Sequence, residues 1–154
     1  MSDHSVAHGT FVVERTYNHP VEKVWAAWSD SKLKARWFGG GPEAMPAQTF
    51  EFKSGGRESR QGIIDPNGPN FSFDVLYQDI VPNSRIVYNY DMHMDGKKIS
   101  VSLAAVEFWP EGGQTKLRLT EYGLFLDGLD NAAQRKEGTM ALIRQLGEFL
   151  DGKR

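Results

Sequence analysis

Between Ala47 and Tyr122 the chain is cut at short intervals by turn-forming residues, and the pieces between the cuts are rich in β-branched and aromatic side chains. AQTFEFK ends at Ser54-Gly55-Gly56, RESRQGIID at PNGPN, and FSFDVLYQDIV at Pro82-Asn83. RIVYNYDMH runs into MDGKK and ISVSLAAVEFW into PEGGQ, and TKLRLTEY follows. Such pieces read as strands, and Asp95-Gly96 is a strong hairpin signal. Consecutive hairpins build an antiparallel sheet, which needs cover on one face. The cover stands at the end of the chain. In LDNAAQRKEGTMALIRQLGEFL (129–150), Ile143, Leu146 and Leu150 form a helical stripe, with Met140, Leu142 and Phe149 on its flanks and Asp130 in its first turn. This predicts an α+β domain of two layers. If the sheet curves, the space beneath it is a candidate ligand site.

Ahead of these strands, GTFVVERTYN (9–18) reads as a first strand, and residues 20–38 hold three of the four tryptophans. Val21, Val24, Trp25 and Trp28 recur at helical spacing after Pro20, a residue suited to a helix start. Ser29 or Asp30 can cap a second short helix carrying Leu33 and Trp37, which Gly39-Gly40-Gly41-Pro42 ends. Helices this short are marginal alone in water. Their aromatic side chains therefore have to be buried against a larger apolar surface. Trp25 and Trp28 are expected to anchor the pair beneath the sheet, and Trp37 and Phe38 to stand at the mouth of the space it encloses.

The totals exclude several function classes. The chain has 154 residues, enough for one domain with a core, and 18 basic against 20 acidic side chains give a net charge of −2 without a basic stripe for nucleic acid. With no cysteine, neither disulfides nor thiolate chemistry is open to it. No apolar run reaches the roughly 20 residues of a membrane span, and MSDHSVAHGT lacks a signal pattern, so a cytoplasmic location is expected. Residues 1–8 are expected to be a flexible tail, and 9–154 the folded domain. His4, His8, His19 and His93 have no partner at metal-ligand spacing, and Ser54-Gly55-Gly56-Arg57 does not lead into a phosphate-binding helix. No metal and no cofactor are expected.

ERTYNHPVEKVWAAWSDSKLKARWFGG resembles the opening of the activator of heat-shock protein 90 ATPase homologue family, part of the START-like (SRPBCC, birch-pollen-allergen-like) superfamily. Pro20, Val24, Trp25, Ala27, Trp28 and Ser29 fit its pattern, as do Asp30, Leu33, Trp37 and Phe38. So do FKSGGRES, DIVPNSRIVY, GGQTKLRLTEYG and the closing EGTMALIRQLGEFL, in order, from about residue 10 to 152. The resemblance implies a helix-grip fold: a curved antiparallel sheet of about six or seven strands wrapped around a long C-terminal helix, with two short helices after the first strand. It also implies a cavity for a lipid, sterol, polyketide or other small apolar molecule, and in a few members a cyclase or similar activity. Thr139, where the family often has tryptophan, and the stretch at Asp74-Val75, which lacks a frequent glycine, depart from the pattern. Both are expected at the cavity or its rim. The family's eukaryotic co-chaperone has an additional N-terminal domain for which 154 residues leave no room, so chaperone stimulation is not transferred.

Strand alternation selects the cavity residues. Leu117, Leu119 and Glu121 share one face of their strand, as do Tyr88, Tyr90 and Met92 of theirs. Val101, Leu103, Ala105, Glu107 and Trp109 share a third face, and Leu103, Glu107 and Trp109 are taken as cavity residues. Arg60 and Phe73 join them, with Met140, Ile143 and Arg144 from the closing helix. A carboxylate in an apolar cavity needs a partner, so Glu107 or Glu121 is expected to meet Arg60 or Arg144. Such a pair orients a ligand headgroup, works as an acid or base after a pKa shift, or is purely structural. The leading reading is a protein that binds a small hydrophobic or amphipathic molecule. A cyclase- or hydrolase-like enzyme is the alternative. A stress-related or chaperone-partner protein with Trp37 and Phe38 as an exposed patch is the second, and homodimerisation stays open.

Overall fold

The computed structural model describes residues 4–39 and 42–154. In chain order these form β1 (Val6–Tyr17), α1 (Val21–Ser29), α2 (Ser31–Trp37), β2 (Ala47–Phe50), β3 (Arg57–Ile63) and β4 (Asn70–Val81). Then follow β5 (Arg85–Met94), β6 (Lys97–Glu111), β7 (Gln114–Leu126) and α3 (Ala132–Leu150). The strands make one antiparallel sheet, in the order β1-β7-β6-β5-β4-β3-β2. From β2 to β7 each strand pairs with its sequence neighbour. β1 sits on the opposite edge beside β7, so α1, α2 and the loop to residue 46 carry the chain from one edge of the sheet to the other. Registers shift between Ala47 and Thr49, Tyr77 and Asp79, and Met92 and His93. Each such irregularity bends and twists the strand that carries it, and the sheet curves around α3 in the helix-grip arrangement. No helix among the described residues is long and apolar enough to cross a membrane.

β1 begins earlier than expected. Val6, Ala7 and His8 pair with Leu126, Phe125 and Leu124, so this part of the presumed tail is sheet. Residues 1–3, and Gly40 and Gly41 of the glycine break, lie outside the described residues. Pro20 stands just before α1 rather than inside it, with extended ψ and its carbonyl accepting from Val24 N. Asp30 ends α1 and caps α2, its Oδ1 accepting from Lys32 N at 2.9 Å and Leu33 N at 3.1 Å. The tryptophans hold the pair to the sheet by edge-to-face contacts: Trp25 on Phe52 and Phe108, Trp28 on Trp37 and Phe108.

α3 crosses the concave face against β1, and two glycines permit the approach. A Cβ on Gly9 would stand 2.5 Å from the Ala132 Cβ, and one on Gly147 would stand 3.2 Å from the Tyr17 ring. The Tyr17 hydroxyl donates to Ile143 O at 2.7 Å across the same contact. Asn131 caps α3 by accepting from Gln134 N. Asp130 therefore precedes the helix instead of lying in its first turn, and it binds Arg135. Ile143, Leu146 and Leu150 are buried, as their stripe predicts.

Candidate functional site

The grip is not filled. A hollow of about 360 Å³ opens between α3, the turn after α2 and the ends of β4 and β5. Its walls are largely apolar, with Phe38, Met45, Phe71, Met92, Met94 and Leu142 among them. Exposed Gln134 and Gly138 stand at its rim. A second hollow of about 50 Å³ lies deeper, and the two share Phe38, Phe73, Tyr90, Thr139 and Leu142. The inner walls bring Trp28, Lys34, Glu58, Tyr77, Tyr88 and Glu121 together. An apolar vestibule with a polar floor is the common form of a small-molecule site.

Two ionic groups make the floor. In the first, Glu58 of β3 is 2% exposed and accepts from Lys34 Nζ of α2 at 3.0 Å, from Arg60 Nε, and from the Tyr77 hydroxyl of β4. Burial alone would raise the Glu58 pKa, but Lys34, Arg60 and Tyr77 outweigh it and hold the carboxyl below its ordinary value. Burial pulls Lys34 down, with Arg60 adding to the effect and Glu58 opposing it. Arg60 also donates to Met45 O at 2.8 Å, fixing the loop before β2.

In the second group, Arg135 of α3 binds Asp130 Oδ2 at 2.8 Å and donates to the Tyr90 hydroxyl at 2.8 Å and to Ser100 Oγ at 2.7 Å. Tyr90 in turn donates to Glu121 Oε2 at 2.9 Å. Burial raises the Glu121 pKa and prevails over Arg135 and Tyr90, which act to lower it. Burial, followed by the charge of Glu121, also keeps the Tyr90 and Tyr88 hydroxyls protonated far above the ordinary tyrosine value. The structure thus joins two carboxyl groups of opposite tendency through one lining. Among the described residues no three His, Asp or Glu side chains come together as a metal site.

Of the residues singled out from sequence, Phe38, Phe73, Tyr88, Tyr90, Leu119 and Glu121 line the inner hollow, and Met92 lines the outer one. Val75 and Thr139, at the two departures from the family pattern, line the inner hollow as well, whereas Asp74 points outward. Arg60 is buried behind the wall with Glu58, not with Glu107 or Glu121. Ile143 is core. Trp37 is fully buried and donates from Nε1 to Ala27 O at 2.9 Å, so it tethers α1 to α2 and neither stands at the mouth nor forms a surface patch. Met140 and Arg144 are exposed on the outer side of α3, because the buried stripe runs through Arg135, Thr139 and Ile143 instead.

β6 is reversed relative to expectation. Ser100, Ser102, Ala104, Val106 and Phe108 face inward, leaving Leu103, Glu107 and Trp109 on the outer face. There Trp109 lies under Lys116 and Arg118. The cause is the bulge between Met92 and His93. Pairing that starts from Met94 with Lys97 would set Met92 against Ile99 and Tyr90 against Val101. The extra residue instead sets Met92 against Ser100, Tyr90 against Ser102 and Tyr88 against Ala104. A one-residue slip turns every later side chain over. Arg135 is the principal residue that the sequence reading missed. It stands eight and four positions before Ile143 and Thr139 of the same stripe, so the helical period carried a signal for it. Lys34 lies three residues before Trp37, on that residue's side of α2.

Residues 18–151 match the family described as Activator of Hsp90 ATPase homolog 1-like protein. Among solved structures, a protein from Rhizobium leguminosarum is 37% identical, with a TM-score of 0.87 over 96% of this chain and 97% of that one. The Mll3558 protein from Rhizobium loti is 40% identical, with a TM-score of 0.83 over 93% of this chain and 97% of that one. An AHSA1-like protein from Aeromonas hydrophila shares the fold at 19% identity and a TM-score of 0.70, over 94% and 93% of the two chains. Comparison with curated protein sequences gives no match.

Proposed function

The chain belongs to the family of Activator of Hsp90 ATPase homolog 1-like proteins, and from that premise we propose that it binds a small apolar or amphipathic molecule between its sheet and α3. Folds of this kind commonly hold hydrophobic ligands. The observation that carries the reading here is the hollow of about 360 Å³ with its apolar walls, which shares Phe38, Phe73 and Tyr90 with a smaller hollow over a polar floor. Its size falls within the ordinary range for small-ligand sites. The walls provide non-directional affinity through the area they remove from water, and the floor sets orientation. Organic extraction of the purified protein followed by mass spectrometry, together with thermal-shift titration against fatty acids, sterols and aromatic polyketides, tests it. A stabilising compound is expected. The reading fails if none of these classes stabilises the protein and nothing apolar is extracted.

Glu121 favours a second reading, in which the bound molecule is also transformed. A carboxyl with a raised pKa, hydrogen-bonded to Tyr90 inside a cavity, has the makings of a general acid or base for a cyclase- or hydrolase-like step. Once a ligand is known, its turnover by the protein and the loss of that turnover in Glu121→Gln with ligand affinity kept would establish this role. Unchanged turnover in that variant would remove it.

A further inference from the structure

Lys34, Glu58 and Arg60 place two cationic side chains and one carboxylate in the interior, 6%, 2% and 1% exposed. Both Glu58 oxygens are engaged by these cations and by Tyr77, so one positive charge has no counterpart within the cluster. Buried charge without a counterpart is expensive. We propose that this surplus seats the ligand's anionic head: the inner hollow takes the carboxylate of an amphipathic acid against Lys34 Nζ and Trp28 Nε1, while its apolar body lies in the outer hollow. The inference rests on the cavity-binding reading above and names the class of molecule bound.

The donors around the inner hollow are unspent. An ammonium group has three N–H donors, and among the described residues Lys34 Nζ makes a single hydrogen bond, to Glu58; it otherwise faces the Trp28 and Phe38 rings, 5.5 and 4.9 Å from their centroids. Trp28 is in the same wall, and its buried Nε1–H has no acceptor among the described residues. Arg60 Nη2, behind the wall, also lacks one. Tyr88 lines the same hollow. An anion is the group that answers several unpaired donors at once, and charge-assisted hydrogen bonds are the strong ones. Across the hollow, Glu121 is paired with Arg135 at 3.6 Å, so its charge is answered before it meets an incoming carboxylate. Phe38, Phe73 and Tyr90 wall both hollows, so a head in the inner one and an apolar body in the outer one would lie against the same rings.

The experiment is calorimetric titration of the full chain with decanoate, 1-decanol, decylamine and acetate, repeated on Lys34→Met and Trp28→Phe. Decanoate is expected to bind about tenfold or more tighter than 1-decanol, the yield of one charge-assisted contact, with decylamine and acetate weaker. Lys34→Met should bring decanoate and 1-decanol to equal affinity, and Trp28→Phe should weaken decanoate alone. Equal affinity in the wild type, or a preference that survives Lys34→Met, overturns the anionic seat while leaving cavity binding intact. Acetate as tight as decanoate would mark a free-anion site and overturn the amphipathic assignment. Failure of all three ten-carbon probes would overturn the amphipathic-acid assignment, and the extraction and the sterol and polyketide titrations then decide cavity binding.

Discussion

Replacing Glu58 by glutamine should destabilise the protein far more than replacing Lys34 by methionine, although the two side chains bond to each other. At the observed separation of 3.0 Å, Coulomb's law with an effective dielectric constant of about 20 gives a gross attraction of roughly 5 kcal/mol for each cation facing Glu58. Most of that is offset by the loss of hydration, and a broken buried pair costs about 3–5 kcal/mol because a charge is left unmatched. Glu58→Gln leaves two unmatched cations, Lys34 and Arg60, and an amide that adds donors where donors already crowd. Lys34→Met leaves Glu58 and Arg60 as a matched pair and fills similar volume, so its cost should stay within about 1 kcal/mol. For a chain of this length each kcal/mol moves Tm by about 2–4 °C. The expected drop for Glu58→Gln is therefore on the order of 6–20 °C by calorimetry at pH 7. The pH dependence supplies a second readout. The Glu58 pKa is lowered in the folded protein, so the stability it brings is present above the ordinary carboxylate value of 4.5 and is lost as pH falls through the folded value. The gap between wild type and Glu58→Gln should accordingly narrow in acid. A Glu58→Gln protein within about 1 kcal/mol of wild type, or a Lys34→Met protein as damaged as Glu58→Gln, would refute the count of two cations to one anion.

Glu121 carries the opposite sign: its folded pKa is raised, so its contribution is present below 4.5 and is lost as pH rises through the folded value. Stability curves of wild type and Glu121→Gln should therefore diverge in favour of the glutamine variant as pH climbs from 4.5 through the folded value, and parallel curves would contradict the raised pKa. Gly9→Ala must separate β1 from Ala132, and urea denaturation should show a loss of about 1–3 kcal/mol, with no loss meaning that α3 is not held as closely as the structure has it. Asp30→Ala removes the acceptor for Lys32 N and Leu33 N and should cost about 1 kcal/mol in the same assay.

Patterns that satisfy one physical demand were legible in the sequence, and the residues of the floor answer two. The stripe through Ile143, Leu146 and Leu150, a cap at Ser29 or Asp30, and the alternation of β5 and β7 all follow from burying apolar groups, or from satisfying backbone donors at a helix start. The stripe and the two strands were read with the correct face, and the structure puts the cap at Asp30. Glu121 was readable too, because Leu117 and Leu119 carry it inward by parity. β6 defeated the same rule. Its Val101 and Leu103 are exposed, and the inward positions across from Met92, Tyr90 and Tyr88 hold Ser100, Ser102 and Ala104. Nothing in hydrophobic alternation predicts that choice, since a bulge of one residue decides it and the bulge leaves no compositional mark. The choice has a use in the cavity. Val101 and Leu103 turned inward would fill the space opposite Tyr88 and Tyr90, and they would offer Arg135 no acceptor where Ser100 now accepts at 2.7 Å. The guanidinium would then lose one of the bonds that justify its burial, and if Arg135 withdrew, the Tyr90 hydroxyl would lose the donor that orients it toward Glu121. The bulge between Met92 and His93 therefore spends apolar contact on the outer face in exchange for room and polar anchorage on the inner one. The regular register would have turned Val101 and Leu103 inward; the slip by one leaves Ser102 and Ala104 across from Tyr90 and Tyr88, and the space beside those rings stays open.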